Sequence, residues 1–260
     1  MTFTEPQFRP HIKVDYPPNN TSIFEEWFFN QWMTKQQPED RSYLPVFWTS
    51  YWVNHDYGNN PMRKRLLQDF IDTLPQDKKY FTIVQYDDGC LVDFKDLDIL
   101  IFNMSTDGFP IPLTCMDHPY TFNVQKDIFS SYVGSNTHEL RRYLKPYTNK
   151  RLEIKDYCEL HARSVFSLCP RGYGANSFRI KEALQYGAIP VYISDRFIEP
   201  FYVDFNEYGV KIEPGQVNRI EAILRGFSPE EIEAKRKRGA EVFKEFYQYE
   251  GLREKILSNV

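Results

Sequence analysis

Residues 165–194 set two apolar runs on either side of one glycine-bearing loop and one short helical pattern, and that order leaves few folds open. The first run, residues 165–169, stops at Pro170. A loop follows, Arg171-Gly172-Tyr173-Gly174-Ala175-Asn176. A helix opens near Ser177 and closes at Gly187, and the second apolar run, residues 188–194, begins at once. Strand, loop, helix and strand in that sequence make a parallel α/β unit, with a loop and a helix N-terminus at the carboxyl end of the first strand. Such a place suits a phosphate, because free backbone N–H groups and the helix dipole both point at it.

The rest of the chain repeats this alternation. Residues 24–33 read as a short helix, 46–53 as an aromatic strand and 63–74 as a helix with apolar residues at 66, 67, 70, 71 and 74. Strands are expected at 81–84 and 99–102, with the turn Tyr86-Asp87-Asp88-Gly89 after the former. A second series has a strand at 131–134, helices at 139–144 and 155–163, the unit described above, a short strand at 210–212, and helices at 218–225 and 229–246. Ser228 caps the last of these, with Glu230 and Glu231 in its first turn. Two series predict an α/β fold of two Rossmann-like domains facing a cleft, residues 1–125 and 126–260.

Composition bounds the function. The chain has 260 residues, of which 42% are apolar, enough for a core in each domain. A net charge of −4 gives no basic field for nucleic acid. No apolar run approaches the ~20 residues of a membrane span, and residues 1–20 are polar and proline-rich, unlike a signal peptide. The expectation is a soluble, cytoplasmic protein, or the excised catalytic domain of a membrane-anchored one. Cys90, Cys115, Cys158 and Cys169 lack Cys-x-x-Cys spacing, so reduced thiols are favoured over two disulfides. Asn20-Thr21-Ser22 and Asn103-Met104-Ser105 fit the glycosylation sequon. Aromatic residues at 17% serve either a core or a groove for sugars or bases.

On the helix after the glycine loop, Ile180, Ala183, Leu184 and Gly187 form the packing stripe, and Arg179 and Glu182 share another face. A diphosphate there meets the dipole, the Ser177 hydroxyl, loop amides and arginines; Glu182 suits the two hydroxyls of a ribose. The bland alternative makes Ser177 a helix cap and Arg179–Glu182 a surface ion pair. No Gly-Lys-Ser/Thr follows, so this is no Walker loop, and Ser177 stands where a dinucleotide fingerprint needs glycine.

Ser164 through Gly172, Ser177-Phe178-Arg179, Glu182-Ala183, Gly187-Ala188-Ile189-Pro190-Val191, Ser194-Asp195 and Pro200-Phe201, in that order, resemble the exostosin family, glycosyltransferase family 47. A weaker resemblance covers Ser131-Tyr132-Val133-Gly134-Ser135 with Arg141, and residues 81–89. The resemblance implies a GT-B fold and transfer of a sugar from a UDP-sugar, UDP-xylose or another, to a glycan or glycoprotein acceptor, with inversion and no required metal or other cofactor. It places donor binding on Ser135, Arg141, Arg171, Gly172, Tyr173, Gly174, Ser177, Phe178, Arg179 and Glu182.

Inverting transfer needs a base opposite the leaving diphosphate, expected on an N-terminal loop. Asp87 and Asp88 are the first choice and also resemble the family's Asp-containing turn; His55 and Asp56, in the loop after the aromatic strand, are the runner-up. Trp48, Tyr51, Trp52 and His55 are candidates to hold the acceptor. No Asp-x-Asp triplet or metal-ligand spacing appears, so arginines and the helix dipole are expected to stabilise the leaving diphosphate. His118, His138 and His161 read as structural, and Lys235, Arg236, Lys237 and Arg238 as a solvated helix face. A catalytically inactive carbohydrate- or nucleotide-binding subunit of a glycosylation complex is the competing class; a reductase is disfavoured by the missing dinucleotide fingerprint.

Overall fold

A computed structural model describes residues 5–13, 23–35, 40–105, 108–145 and 150–260. The chain divides into two units, residues 1–111 with 252–260, and residues 112–251. Residue 125, the sequence-based boundary, lies in the extended lead-in of the second unit.

The first unit is a four-stranded parallel sheet in the order β1 (Ser42–Tyr43), β2 (Lys79–Val84), β3 (Asp98–Asn103), β4 (Phe109–Pro110). β2 begins at an exposed lysine and then buries five residues in succession, the pattern of a strand covered on both faces. Helices α1 (Phe24–Thr34), α2 (Trp48–Asn54) and α3 (Pro61–Ile71) accompany it. Much of the aromatic excess is core. Tyr43 stacks on Phe81 at 5.1 Å, Trp32 meets Phe81 edge-on at 5.2 Å, and Phe28 meets Tyr43 at 5.2 Å.

The expected strand at 46–53 is the helix α2. Its cause is remote in sequence. Glu25 on α1 is fully buried, and its carboxylate accepts the Thr49 amide (3.0 Å) and hydroxyl (3.0 Å) in the first turn of α2, together with the Gln85 amide (2.7 Å) past the end of β2. The N-cap residue Phe47 makes no side-chain cap, so Glu25 supplies it. Burial pushes the Glu25 carboxyl up to about 8 despite those hydrogen bonds. Helical spacing turns Trp48, Tyr51 and Trp52 inward.

The second unit is also a four-stranded parallel sheet, β5 (Ile128–Ser131), β6 (Ser164–Pro170), β7 (Ile189–Ile193), β8 (Val210–Ile212). β5 starts and ends earlier than its expected range of 131–134. Helices α4 (Ile154–Arg163) and α5 (Phe178–Gln185) flank β6, and α6 (Ile220–Leu224) and α7 (Pro229–Val242) follow β8; α8 (Tyr249–Leu257) starts in this unit and from Leu252 on belongs to the first. Ile180, Ala183 and Leu184 form the buried stripe of α5, and Gly187, with φ of 65°, closes it in the left-handed conformation. Residues 139–143, expected as a helix over 139–144, form a 3-10 helix, and the expected helix at 218–225 is α6, preceded by a 3-10 helix at 214–219. Ser228 and Glu231 form a reciprocal capping box on α7. Of the basic residues on α7, Lys235 donates to the Asn206 and Gly209 carbonyls, Arg236 to the Gly187 carbonyl, and Arg238 to Glu207, so these three fasten the helix.

All four cysteines are buried and free. The sequon at Asn103 is closed by folding: Asn103 and Ser105 are buried and bonded to each other. The sequon at Asn20 lies outside the described residues. Among the described residues, no helix is long and apolar enough to cross a membrane.

Candidate functional site

In the second unit the loops after β5 and β6 meet at the carboxyl end of the sheet. Arg141, buried, binds them together: its Nε donates to the Arg171 carbonyl (2.8 Å), one Nη to the Ser135 carbonyl (3.1 Å) and the other to the Pro170 carbonyl (3.2 Å). Each of its three nitrogens thus donates to the backbone, which makes Arg141 a brace for these loops. Arg179, one residue into α5, donates its Nε to the Val133 carbonyl (2.9 Å) and lays its guanidinium 5.9 Å from the Tyr132 ring centroid. A Cβ on Gly134 would fall 2.3 Å from an Arg179 Nη, so glycine there gives the guanidinium its place.

Four buried polar atoms around these loops have no hydrogen-bond partner: the Tyr132 hydroxyl, Arg171 Nε, Asn176 Nδ2 and the Ser177 hydroxyl. Each is able to donate. Leaving such groups unmet costs about 1–3 kcal/mol apiece, so four of them on the residues of adjoining loops are the donors an acceptor-rich ligand needs. Ser177 does not cap α5: its side chain makes no capping bond, and the Ser177 amide is instead met by Asn176 Oδ1 (2.8 Å). The hydroxyl therefore stays available at the helix N-terminus. Arg171 pairs with Asp195 and donates to the Tyr173 carbonyl (3.0 Å). Gly172 and Gly174 are half-buried, Phe178 is half-buried, and Tyr173 and Ser135 are exposed.

Glu182 is placed differently from the expectation of a ribose ligand. One Oε accepts the Tyr157 hydroxyl (2.6 Å) from α4 and the other lies 3.3 Å from His118 Nε2. Burial drives its carboxyl upward, but the bonds from His118 and Tyr157, with the nearby Arg179 charge, outweigh that and hold it at about 2. Lys181 and Gln185 complete a clamp on the segment 116–118: Lys181 donates to the Met116 carbonyl (2.9 Å) and pairs with Asp117 (2.9 Å), and Gln185 exchanges bonds with the His118 backbone. Glu182 thus secures α5, and through it the position of Arg179. The surface ion pair of the bland alternative does not describe it, since both carboxylate oxygens are engaged by buried or part-buried partners.

In the first unit, both candidate bases lie in one cluster of loops. The Tyr86 hydroxyl donates to the Tyr57 carbonyl (3.0 Å), joining the turn after β2 to the loop after α2. A Cβ on Gly58 would strike Leu91 at 2.4 Å. Asp56, Tyr57, Leu91 and Lys95 all have positive φ, strain concentrated around this cluster. Asp87 is half-buried and Asp88 exposed. His55 packs edge-on against Tyr51 at 4.8 Å, and burial with the Arg63 charge lowers its pKa.

Trp48, Tyr51 and Trp52 are core residues, not acceptor platforms. Each is fully buried, with its polar atom met inside: Trp48 Nε1 by Thr82 (2.8 Å), the Tyr51 hydroxyl by the Arg63 carbonyl (2.8 Å), Trp52 Nε1 by the Cys90 carbonyl (3.1 Å). Trp48→Ala is expected to lower stability by about 3–5 kcal/mol in a denaturant titration; a sugar-stacking residue would leave the midpoint unmoved. Sequence reasoning missed Tyr132, Tyr157, His118 and Asn176 as members of the site. Asn176 had a signal, standing beside Ser177 at a helix start; Tyr157 and His118 are remote in sequence and had none.

The exostosin GT47 domain family matches residues 116–227, a stretch that starts at the segment clamped by α5 and ends past β8. Similar proteins include a probable glucuronosyltransferase of Oryza sativa subsp. japonica, 38% identical over 78 residues, which is 29% of this chain and 18% of that protein. Exostosin-1 of Drosophila melanogaster is 30% identical over 116 residues, 44% of this chain and 15% of that protein. A probable beta-1,4-xylosyltransferase of Arabidopsis thaliana is 36% identical over 78 residues, 29% of this chain and 19% of that protein. The chain thus spans less than a fifth of the length of these relatives.

Proposed function

We propose that this chain, whose residues 116–227 match the exostosin GT47 domain, is a glycosyltransferase that moves a sugar from a UDP-sugar to a glycan acceptor. The observation that carries the reading is the set of four unpartnered buried donors on these adjoining loops, with Arg179 at the N-terminus of α5. A diphosphate is the proposed acceptor for three of them. The Ser177 hydroxyl, Asn176 Nδ2 and Arg171 Nε would donate to phosphate oxygens, and the free amides of α5 add their dipole. Tyr132 and Gly134 keep Arg179 in place beside them.

The proposed reaction is a single in-line displacement with inversion. An acceptor hydroxyl oxygen forms its bond to the anomeric carbon, the bond from that carbon to the diphosphate oxygen breaks, and the electron pair leaves with UDP. The hydroxyl proton passes to a carboxylate, for which Asp87 or Asp88 is proposed and Asp56 is the alternative. Arginine and helix-dipole charge stabilise the leaving group in the proposed scheme, without a metal. Xylose is the proposed sugar, consistent with the name of one relative.

Arg179→Ala is expected to weaken UDP binding by about 10- to 100-fold, the loss of one charge-assisted contact, measured by calorimetric titration of UDP. Unchanged affinity in a folded variant overturns the assignment of this loop. UDP binding by the wild-type chain with neither transfer nor slow hydrolysis of any UDP-sugar identifies the non-catalytic subunit instead.

A further inference from the structure

The first turns of α3 stand out from the first unit. Residues 61–66, Pro-Met-Arg-Lys-Arg-Leu, are exposed in succession, and burial starts at Leu67. Met62 is 80% exposed and Leu66, four residues on, 41%. At about 100° per residue these two share one ridge, with Arg65 on one flank and Arg63 on the other. The turn Asp56–Gly58 packs beside α3, and its Tyr57 is 60% exposed while the Tyr57 carbonyl is held by the Tyr86 hydroxyl (3.0 Å). Lys13 is fixed by its amide, which donates to Asn54 Oδ1 (3.0 Å). Burial, then the charge of Arg63, then that of Lys13 lower the pKa of His55, so both cations border that ring. Helix stability does not account for these cations. Arg63 and Lys64 lie at the start of α3, where positive charge opposes the helix dipole, and its first turn holds no acidic residue. Arg65 lies 3.8 Å from Asp69, but both side chains are mostly exposed, too open to neutralise one another. Among the described residues, no ion pair engages Lys13, Arg63 or Lys64. Residues 55–66 carry three cations and one carboxylate, Asp56, in a chain whose net charge is −4.

We propose that this end of the first unit is a docking surface for an anionic lipid bilayer: Met62, Leu66 and Tyr57 enter the headgroup region, and Lys13, Arg63, Lys64 and Arg65 meet its negative charge. A cation cluster alone suits any polyanion, and the aliphatic side chains decide between them. Sugars and bases pack on aromatic faces, whereas Met62 and Leu66 between two arginines gain only by leaving water, as they do at the boundary of headgroups and acyl chains. Tyrosine suits the same boundary, with an apolar ring and a wet hydroxyl. The stems of Arg63 and Arg65 add apolar cover along the ridge while their guanidinium groups stay among the phosphates. Four cations beside a negatively charged leaflet give reversible adsorption rather than permanent anchoring. The inference stands apart from the glycosyltransferase reading, because the proposed donor site lies in the second unit.

The test is co-sedimentation of the chain with vesicles of phosphatidylcholine alone and with vesicles holding about one-third phosphatidylserine. The anionic vesicles are expected to bind about 100-fold more tightly at about 0.1 M salt, and the preference to collapse at about 1 M, where the Debye length is about 3 Å. Arg63→Gln, Lys64→Gln and Arg65→Gln together are expected to remove most of that preference, at about fivefold per cation. Met62→Ser with Leu66→Ser leaves the charge intact and is expected to weaken binding about tenfold. All five positions are exposed, and fewer cations at the start of α3 relieve the dipole, so both variants are expected to unfold at the wild-type temperature. Equal binding to the two kinds of vesicle overturns the proposal. Anionic binding that neither variant weakens overturns it too, because the contact then lies elsewhere on the chain. Anionic binding that the triple variant abolishes and the Met62, Leu66 variant leaves unchanged, with dextran sulfate bound equally well, also overturns it: the patch then serves a soluble polyanion.

Discussion

Glu182→Ala is expected to destabilise the second unit by about 3 kcal/mol, a drop in unfolding midpoint of roughly 10 °C. Three groups lose their partner together. The Tyr157 hydroxyl and His118 Nε2 lose an acceptor, and the Arg179 guanidinium loses the nearest opposite charge. Truncating one side of a largely buried polar cluster costs more than the bonds themselves, because the remaining groups stay desolvated. Glu182→Gln keeps the shape and removes only the charge, so its loss is smaller. The pH dependence separates the two effects. The folded carboxyl sits at about 2, below the unfolded value of about 4.3. Its stabilising contribution is present in full above the unfolded value and is lost as pH falls through that range toward 2. Thermal unfolding of the wild type should therefore steepen between those limits, and Glu182→Gln should lack that component. Superimposable acid profiles for the two proteins would remove Glu182 from the network. UDP affinity supplies the second readout: in the folded Gln variant it should fall only as far as Arg179 shifts, less than in Arg179→Ala.

The contrast between Glu182 and Ser177 shows what the sequence can carry. The glycine loop, the helix after it and the closing Gly187 are local features, set by residues within one turn of each other, and they were readable from spacing alone. The role of Ser177 as an uncommitted hydroxyl is likewise local. The partners of Glu182 are not: Tyr157 lies on α4 and His118 on an extended segment, and no periodicity connects them to position 182. The same distinction explains residues 46–53. Aromatic and β-branched residues favour a strand, but Glu25 accepts the Thr49 amide and hydroxyl at the start of α2, and an acceptor more than twenty residues away leaves no mark on the local pattern. Trp48, Tyr51 and Trp52 were drawn to the surface by the strand reading, since alternation would expose some of them; a helix with its N–H and O–H groups bonded inside buries all three.

Asp87→Asn or Asp88→Asn is expected to lower turnover by about 100- to 10,000-fold, the range for loss of a general base, with UDP affinity unchanged. The turn that carries them is built firmly. Gln85 is pinned on both sides, its amide by Glu25 (2.7 Å) and its side chain by the Phe24 amide (3.2 Å). Tyr86 is tied to Tyr57, and Gly89, at a φ of 76°, returns its amide to the Tyr86 carbonyl (3.0 Å). A rigid turn that presents one half-buried and one exposed carboxylate is suited to proton transfer, since the group reaches its working position without reorganising. The Tyr86 hydroxyl is pushed up to about 12 by burial and by the charges of Asp88 and Asp87, so it remains a donor across the working range. The discriminating measurement is the pH profile of kcat/KM. A carboxylate base gives an acidic limb, and that limb should vanish in the variant that removes the base and persist in the other. If both aspartate variants turn over normally, the base is elsewhere; a collapse in Asp56→Asn alone then moves it to the neighbouring loop, which the Tyr86–Tyr57 bond holds against the same turn.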